Sequence, residues 1–382
     1  MIDLETMSIL IVDDMKSMRL TIRQMLKTLK IAGTLHFAEN GRTGLEILAH
    51  SKCNLAIIDW NMPVMNGVEM LERIRANKSL RDLPVIMVTA ESERDIVAEV
   101  AEIEVDAYLL KPLTLASLDE KIRLVVRKAN HPDPATLHRL KARQFEEEGN
   151  IESAIEHIKI ALSYKPSASR LIRQLGLLHF KINKNKIGEK CLLKAASINK
   201  QDTLTRIYLA EYYIKNNQLE NAGRYFLEIL TLSSRHNDSA IELGEKLLVQ
   251  GYRRLALNLF SRAITLSKKQ SVHRDKVIDI CIAHNELEYP LILMDQSIKE
   301  NPSNYEIVYK AGLVHIEAGN IEKALDCFLK VDRHVRGHIE AKFQIAKIYY
   351  RYRKVLKADD YLNQILRIDP GNQEALALRR EL

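Results

Sequence analysis

Short apolar runs alternate with amphipathic stretches from the start of the chain to residue 130. The runs are rich in β-branched residues and predict strands over residues 8–12, 35–38, 55–58, 85–88 and 107–110. Between the runs, apolar residues recur at helical spacing, as they do within residues 18–29 and 115–126. Strands that are apolar throughout and alternate with helices are typical of a parallel sheet covered on both faces. The pattern therefore predicts an α/β fold with a doubly wound, five-stranded parallel sheet.

The pattern changes after residue 130, where small and large apolar residues recur with a 34-residue period. One slot of this period holds Ala154, Gly188, Ala222, Ala256, Pro290, Ala324 and Ala358. Seven such units begin at residue 135 and end at residue 372 without an insertion. Because one helix pair cannot bury its apolar faces alone, we expect the units to stack as an all-α solenoid.

The fifth unit departs most from the period. Ile278 occupies a slot that is small in the other units, and Pro290 stands where the others mostly have alanine. Proline is tolerated near the first turn of a helix. We therefore expect irregular packing or a bend in the fifth unit, and we expect residues 373–382 to begin a capping helix.

Composition and charge predict a domain boundary near residues 129–136. The 17 Lys and Arg and 19 Asp and Glu of residues 1–130 give a net charge of −2, whereas the rest of the chain carries +9. Pro132 and Pro134 disfavour a continuous helix across the stretch. We therefore expect two domains, residues 1–130 and residues 131–382.

Polar residues stand at the ends of four predicted strands. They are Asp13 and Asp14, Asp59, Thr89, and Lys111. In a doubly wound sheet these ends meet at the ligand-binding edge. Carboxylates crowded together at this edge are the ligands that Mg²⁺ prefers. A metal ion and a lysine together can neutralise the oxygens of a phosphoryl group. One of the carboxylates could then be the nucleophile that accepts this group. Any one of these residues alone could equally form a turn or cap a helix, but five at four strand ends favour a site.

Four motifs give this region a family resemblance: "ILIVDD" (9–14), "IIDWNMPVMNG" (57–67), "LPVIMVTAE" (83–91) and "YLLKP" (108–112). Residues 7–128 resemble a response-regulator receiver domain of flavodoxin-like fold, and especially the single-domain chemotaxis receivers. The resemblance implies that Asp59 accepts phosphate from a histidine kinase. It also implies that Asp13, Asp14, Asp59 and the backbone carbonyl of Asn61 hold Mg²⁺. Lys111 would then contact the phosphoryl oxygens.

The same resemblance implies a switch. Thr89 would hydrogen-bond the phosphate, and Tyr108 would follow it inward. Asn61 and Glu91 stand where the family tunes the lifetime of the aspartyl phosphate. The sequence departs from the family at Asn66, where an aspartate is common, and this change does not touch the phosphorylation chemistry.

Residues 135–372 resemble tetratricopeptide (TPR) repeats, which have the same period. The resemblance implies a groove, lined by the first helices of the repeats, that binds a protein or peptide. A basic cluster is predicted on the first helices of units one and two, at Arg139, Arg143, Arg170 and Arg173. It could clamp a carboxylate or face an acidic surface of the receiver domain. The lysine and asparagine pattern of the family's carboxylate clamp is absent from the sequence.

Several classes of protein are disfavoured by what the sequence lacks. No apolar stretch reaches the roughly 18 residues that a membrane-spanning helix needs, so no membrane span is expected. The first residues lack the features of a signal peptide. The four cysteines are far apart, which fits free thiols in a reducing cytoplasm and disfavours metal or redox motifs.

The favoured hypothesis is a cytoplasmic two-component response regulator whose phosphorylation controls protein binding by the repeats. The alternatives are a phosphate sink that recruits a kinase, and a regulator whose basic repeats contact nucleic acid. Nucleic acid is the weaker alternative because no recognition motif appears, and a receiver-mediated homodimer stays open. An enzyme domain after residue 130 has no support, since that region contains no glycine-rich nucleotide loop, metal-binding histidine pair or nucleophile motif.

Overall fold

The computed structural model describes residues 1–90 and 105–382. These residues form two compact units, Met1–Asn217 and Gln218–Leu382. Each unit contains apolar core clusters of its own. Within the described ranges, every helix is too short or too polar to span a bilayer.

The first unit begins with a parallel sheet. Its described strands are β1 (Ser8–Val12), β2 (Thr34–Ala38), β3 (Leu55–Asp59), β4 (Val85–Thr89) and β5 (Ala107–Leu110), in the order β2-β1-β3-β4-β5. This confirms the predicted fold, and the strand bounds differ from the expected ones by one residue at three ends. Asp59 and Thr89 are therefore the last residues of their strands. The strand order reverses at β1 and β3, which is where this class of sheet binds its ligands.

Helices cover both faces of the sheet. Those in the described residues are α1 (Lys16–Thr28), α2 (Gly41–His50), α3 (Gly67–Ala76) and α4 (Leu115–Asn130). Because neighbouring residues of a strand point to opposite faces, Ile9 and Ile11 pack into one core cluster and Leu10 and Val12 into the other. Both clusters are buried, which explains why the central strands β1, β3 and β4 are apolar along nearly their whole length.

The chain does not continue as one helix past residue 130, as Pro132 and Pro134 predict. Helix α4 ends at Asn130, and α5 (Pro134–Glu147) begins four residues later with proline in its first turn. The Asp133 side chain caps α5 by accepting a hydrogen bond from the Thr136 backbone N–H at 2.9 Å. The first unit continues with α6 (Ile151–Tyr164), α7 (Ser169–Lys181), α8 (Asn185–Ile198) and α9 (Thr203–Lys215).

The second unit is helical. Its described helices are α10 (Leu219–Leu232), a 3₁₀ turn (Ser234–His236), α11 (Asn237–Val249), α12 (Arg253–Thr265), α13 (Gln270–Ala283), α14 (Glu288–Glu300), α15 (Tyr305–Glu317), α16 (Ile321–His334), α17 (Ile339–Arg351), α18 (Val355–Ile368) and α19 (Gln373–Arg380). Packing explains why certain positions of the repeat hold small residues. A Cβ atom on Gly312 would lie 2.5 Å from the Phe328 ring, which is fully buried there.

The fifth repeat is irregular at one point. Its second helix, α14, begins at residue 288, one residue later than the 34-residue register of α12 and α16 predicts. Pro290 is buried in the first turn of α14, where a missing N–H costs little. Ile278 is also buried. The predicted capping helix is confirmed as α19, whose Ala375 packs with Leu362 and Ile365.

Candidate functional site

The polar strand ends meet at the carboxyl edge of the parallel sheet. Asp13 follows β1, Asp59 ends β3, Thr89 ends β4 and Lys111 follows β5. The register brings them level, because Val12 pairs with Ile58, and Asp59 pairs with Val88. The Lys111 backbone N–H donates to the Thr89 carbonyl at 2.7 Å, which fixes where β5 ends.

Lys111 joins two of the buried carboxylates. Its Nζ lies 2.6 Å from Asp59 Oδ1 and 3.2 Å from Asp13 Oδ2. The Asp13 and Asp59 side chains are only 1% and 6% exposed, whereas the Lys111 side chain is 19% exposed. Asp14 is exposed. The edge therefore places two carboxylates and one ammonium in a largely dry setting that still opens to solvent.

Burial controls the titration of Asp59. Desolvation raises the pKa of Asp59 above its ordinary value, against the hydrogen bond and charge of Lys111, and the charges of Asp13 and Asp14 raise it further. Burial alone would lower the pKa of Lys111, but contacts with Asp59 and Asp13 outweigh it and hold that pKa above the usual value. The site thus carries more negative charge than one lysine neutralises.

The raised pKa of Asp59 predicts how the free energy of unfolding depends on pH. The folded state binds the Asp59 proton more tightly than the unfolded state, so the free energy of unfolding falls as pH rises between the two pKa values. Asp59→Asn removes the buried charge and is expected to raise the melting temperature at about pH 8, with the gain vanishing near pH 4. Trp60, the only tryptophan and a buried one, reports receiver unfolding by fluorescence in metal-free buffer.

A matched control separates the site from the general effect of removing a charge. Glu46→Gln neutralises an exposed carboxylate on α2, and its effect on stability is expected to stay within about 0.5 kcal/mol at either pH. An Asp59→Asn variant that melts below the wild type at about pH 8 would show that the Lys111 ion pair outweighs desolvation.

Local backbone contacts hold the first carboxylates in place. The Met15 backbone N–H donates to Asp13 Oδ1 at 2.8 Å. The Arg19 guanidinium, on α1, donates to the carbonyl oxygens of Asp13 and Asp14. No sequence signal identifies Arg19, because its partners are backbone atoms rather than a spaced motif.

Gly67 lies against the backbone of the strand that carries Asp59. Its N–H donates to the Trp60 carbonyl at 3.0 Å. A Cβ atom at this position would overlap the Asp59 carbonyl oxygen and lie 2.9 Å from Met87 Cε. Asn66, the predicted departure from the family, caps α3 by accepting from the Glu69 N–H at 2.8 Å. The turn after Asp59 therefore requires glycine, and Asn66 replaces the common aspartate without loss of the cap.

The predicted switch residues occupy neighbouring strands. Thr89 is 1% exposed at the end of β4. Tyr108, on β5, is half-buried and packs against the core cluster that contains Met87 and Trp60. Glu91 lies outside the described residues, so its predicted role stays a prediction. Asn61 follows Trp60 with an exposed side chain.

The donor atoms and the charge of the residues at this edge are those that a hard divalent cation prefers. Two buried carboxylates and an adjacent exposed one supply oxygen donors, and their charge exceeds that of Lys111. Among residues 1–90 and 105–382, however, no three His, Cys, Asp or Glu side chains converge as a metal site. The three carboxylates are present at this edge, but the exposed Asp14 side chain does not converge with those of Asp13 and Asp59.

The predicted arginine cluster is divided among different partners. Arg143, on α5, donates to both carboxylate oxygens of Asp82 at 2.6 Å. Arg173 is buried and donates to Asp202 at 2.7 and 2.8 Å. Arg139 is half-buried and Arg170 is exposed. Two of the four arginines are thus already neutralised within the chain.

The chain is similar to known proteins over parts of its length. A family model for the response regulator receiver domain matches residues 9–123. The chain is similar to chemotaxis protein CheY of Pseudomonas aeruginosa, with 41% identity over 124 residues, which are 32% of this chain and 99% of that protein. It is similar to CheY-3 of Vibrio cholerae, with 41% identity over 118 residues, 31% of this chain and 90% of that one. A solved structure of YrrB, titled a TPR protein with an unusual peptide-binding site, is 21% identical with a TM-score of 0.32 and covers 50% of this chain and 97% of its own.

A parallel sheet in this order, with buried aspartates and a lysine at its carboxyl edge, defines the class of flavodoxin-like signalling domains. Through this domain the chain belongs to the response regulator receiver family. The receiver domain is fused to helix pairs that resemble a TPR solenoid.

Proposed function

We propose that the protein is a cytoplasmic two-component response regulator that a histidine kinase phosphorylates on Asp59. The observation that carries the proposal is the position of Lys111 Nζ, 2.6 Å from Asp59 and 3.2 Å from Asp13 at the carboxyl edge of the sheet. An ammonium there can neutralise phosphoryl oxygens on Asp59 once the carboxylate has become an acyl phosphate.

The transfer exchanges one bond to phosphorus for another. An Asp59 carboxylate oxygen attacks the phosphorus of the kinase's phosphohistidine, the P–N bond breaks, and the imidazole leaves. Asp13, Asp14, Asp59 and the backbone carbonyl of Asn61 would hold Mg²⁺, which requires Asp14 to turn inward from its exposed position. When bound, the ion supplies positive charge to the oxygens of the transferred group. This transfer and the hydrolysis of the product are the only chemistry we assign to the chain.

We propose that Thr89 and Tyr108 respond to the phosphate. Thr89 ends the strand beside β3, so its hydroxyl can bond a phosphoryl oxygen on Asp59. Tyr108 is half-buried next to the same core and can turn further inward. The resulting change at β5 and α4 is the proposed signal, and Asn61 and Glu91 would set its lifetime.

We further propose that residues 1–130 form the receiver domain and residues 131–382 the TPR output domain. The break between α4 and α5 supports this boundary. Two ion pairs, Arg143 with Asp82 and Arg81 with Glu147, join α5 to the receiver loop between α3 and β4. That loop precedes β4, so it lies at the opposite sheet edge from Asp59.

Phosphorylation is proposed to change which proteins the repeats bind. Full-length protein carrying an affinity tag is expected to capture a set of proteins whose amount changes several-fold when beryllofluoride, a phosphoryl mimic, is added. The reason is that a ligand shifts a two-state equilibrium only through differential affinity for the two states. Quantitative mass spectrometry of the captured proteins is the measurement.

Asp59→Asn is the control, and its captured set is expected not to respond to the mimic. Equal capture with and without beryllofluoride by the wild type would contradict phosphorylation-controlled binding. That result would favour the phosphate sink, in which the repeats recruit a kinase and nothing else is switched.

A further inference from the structure

The turn between the two helices of the seventh repeat has an unusual composition. Residues 351–357, which we call the basic turn, read Arg-Tyr-Arg-Lys-Val-Leu-Lys, and all of them are exposed. Four are basic, three are apolar and none is acidic. The corresponding residues of the sixth repeat, 317–323, read Glu-Ala-Gly-Asn-Ile-Glu-Lys. A basic, apolar turn is therefore not a requirement of the repeat fold.

The backbone of the basic turn is strained at Arg353. In each of the seven repeats, the turn that joins the first helix to the second has one residue with positive φ. These residues are Gly149, Asn183, Asn217, Gly251, Asn285, Gly319 and Arg353. These positions follow the 34-residue period of the repeats. Glycine and asparagine are the residues that adopt this left-handed conformation readily at the end of a helix. Arg353, at φ 55°, is the exception; strain of this kind persists only where the surrounding fold imposes it, and it clusters at functional sites.

The start of α18 is also electrostatically unfavourable. Lys354 stands at the N-cap of α18, where its side chain makes no capping hydrogen bond, and Lys357 lies in the first turn. Positive charge at a helix N-terminus opposes the helix dipole. The basic turn therefore breaks local rules of both conformation and charge, as functional sites do.

Apolar side chains stand among these charges. Leu356 is 88% exposed, Tyr352 is 49% exposed and Val355 is 42% exposed. Lys354 Nζ lies 5.9 Å from the centre of the Tyr352 ring. Lys357 Nζ lies 5.4 Å from the Tyr349 ring. These cation–π contacts hold the ammonium groups in place beside the apolar side chains.

The basic turn has no neutralising partner in the part of the chain that the structure describes. Among the residues that the structure describes, Arg351, Arg353, Lys354 and Lys357 form no ion pair with a carboxylate. The next acidic residue along the chain, Asp359, receives a hydrogen bond from Arg379 at 3.1 Å instead. Within the described residues, these four cations are therefore available to an acidic group of another molecule.

We infer that the basic turn docks an acidic segment of a partner protein, with carboxylates on either side of a large apolar side chain. Carboxylates would bind the fixed cations, and the apolar side chain would cover Leu356 and Val355. Nucleic acid fits less well because a phosphate backbone offers nothing to cover aliphatic side chains. An anionic bilayer fits less well because Asp360, exposed one helical turn after Leu356, would be brought against it.

This surface deepens the proposed protein-binding role of the repeats, but its test does not depend on phosphorylation. The probe is a random peptide library displayed on phage and selected on the full-length protein. Selected sequences are expected to be rich in Asp and Glu around Leu, Ile, Phe or Tyr. They should bind Asp59→Asn protein as tightly as the wild type, so failure here and failure of the phosphoacceptor proposal are distinguishable.

Two double variants with the same net charge locate the binding surface. Arg351→Glu with Lys354→Glu is expected to weaken a selected peptide at least about tenfold in fluorescence anisotropy, because charge-assisted contacts are replaced by repulsion. Lys268→Glu with Arg336→Glu reverses two exposed charges elsewhere in the same unit, and is expected to change affinity less than about twofold. Similar weakening by both double variants would overturn the inference.

Arg353→Asn separates binding from folding. Relief of the left-handed strain is expected to raise the melting temperature by about 2–4 °C while affinity for the selected peptide falls several-fold. A variant that is more stable and binds equally well would overturn a docking role for Arg353. So would a selection without acidic–apolar enrichment. Loss of binding to phosphatidylserine vesicles or single-stranded oligonucleotides in the first double variant, with peptide binding intact, would overturn the choice of partner.

Discussion

Gly67→Ala is expected to destabilise the receiver domain by about 3 kcal/mol or more, because the added methyl group has no space. It would overlap the Asp59 carbonyl oxygen, and backbone cannot move aside as a flexible side chain can. Relief requires the turn to separate from β3, which would also break the 3.0 Å hydrogen bond from Gly67 N–H to the Trp60 carbonyl. The effect therefore reaches the residue that we propose as phosphoacceptor.

Trp60 fluorescence during denaturant unfolding measures this change, since the chain's only tryptophan lies next to Asp59. The matched control is Gly337→Ala in the second unit, where an added Cβ atom meets nothing within 4 Å. Far-UV circular dichroism is expected to show that this control changes stability by less than about 0.5 kcal/mol. A Gly67→Ala protein with the wild-type midpoint would contradict the tight packing of the turn on β3.

Asp202→Asn is expected to cost about 3–5 kcal/mol in the first unit, because it leaves a buried guanidinium without its counter-charge. Asp202 is 2% exposed and Arg173 is 7% exposed, and their side chains meet at 2.7 Å. Asparagine still caps a helix, so the hydrogen bond that the Thr205 N–H donates to the side chain of residue 202 can survive. The variant therefore isolates the charge. Denaturant unfolding followed by circular dichroism is the measurement.

An exposed pair supplies the comparison. Asp133 also caps a helix and meets Lys165 at 2.6 Å, but the two side chains are 45% and 52% exposed. Asp133→Asn is expected to cost less than about 1 kcal/mol, because solvent screens the pair. Adding Arg173→Met to Asp202→Asn is expected to recover much of the loss, since no buried charge is then unpaired. Equal losses at Asp133 and Asp202 would contradict a special role for burial.

The sheet and the gathering of its polar strand ends follow from the sequence, because both depend on local periodicity and one topological rule. Apolar runs identify strands buried on both faces, and parallel strands in a doubly wound sheet present their carboxyl ends together. Asp13, Asp59 and Lys111 could therefore be placed at one edge without coordinates. The repeats follow from the 34-residue period in the same way.

The partners of individual side chains could not be predicted, because spacing along a chain does not determine tertiary neighbours. Arg173 was expected beside Arg143 in a cluster, yet it is buried against Asp202 while Arg143 meets Asp82. Arg19 binds backbone carbonyls, which leave no mark in the sequence. Arg353 is different, since aligning the seven repeats shows arginine where the others have glycine or asparagine. There the signal was present, but its meaning required the backbone angle.

Phosphorylation of Asp59 is tested most directly by the intact mass of the full-length protein after incubation with Mg²⁺ and acetyl phosphate. The wild type is expected to gain one phosphoryl group that peptide mapping places on Asp59, and to gain none when the metal is chelated. Asp59→Asn is expected to stay unmodified, because an amide cannot form the acyl phosphate. Equal modification of Asp59→Asn, or a phosphoryl group on another residue of the wild type, would contradict Asp59 as the phosphoacceptor.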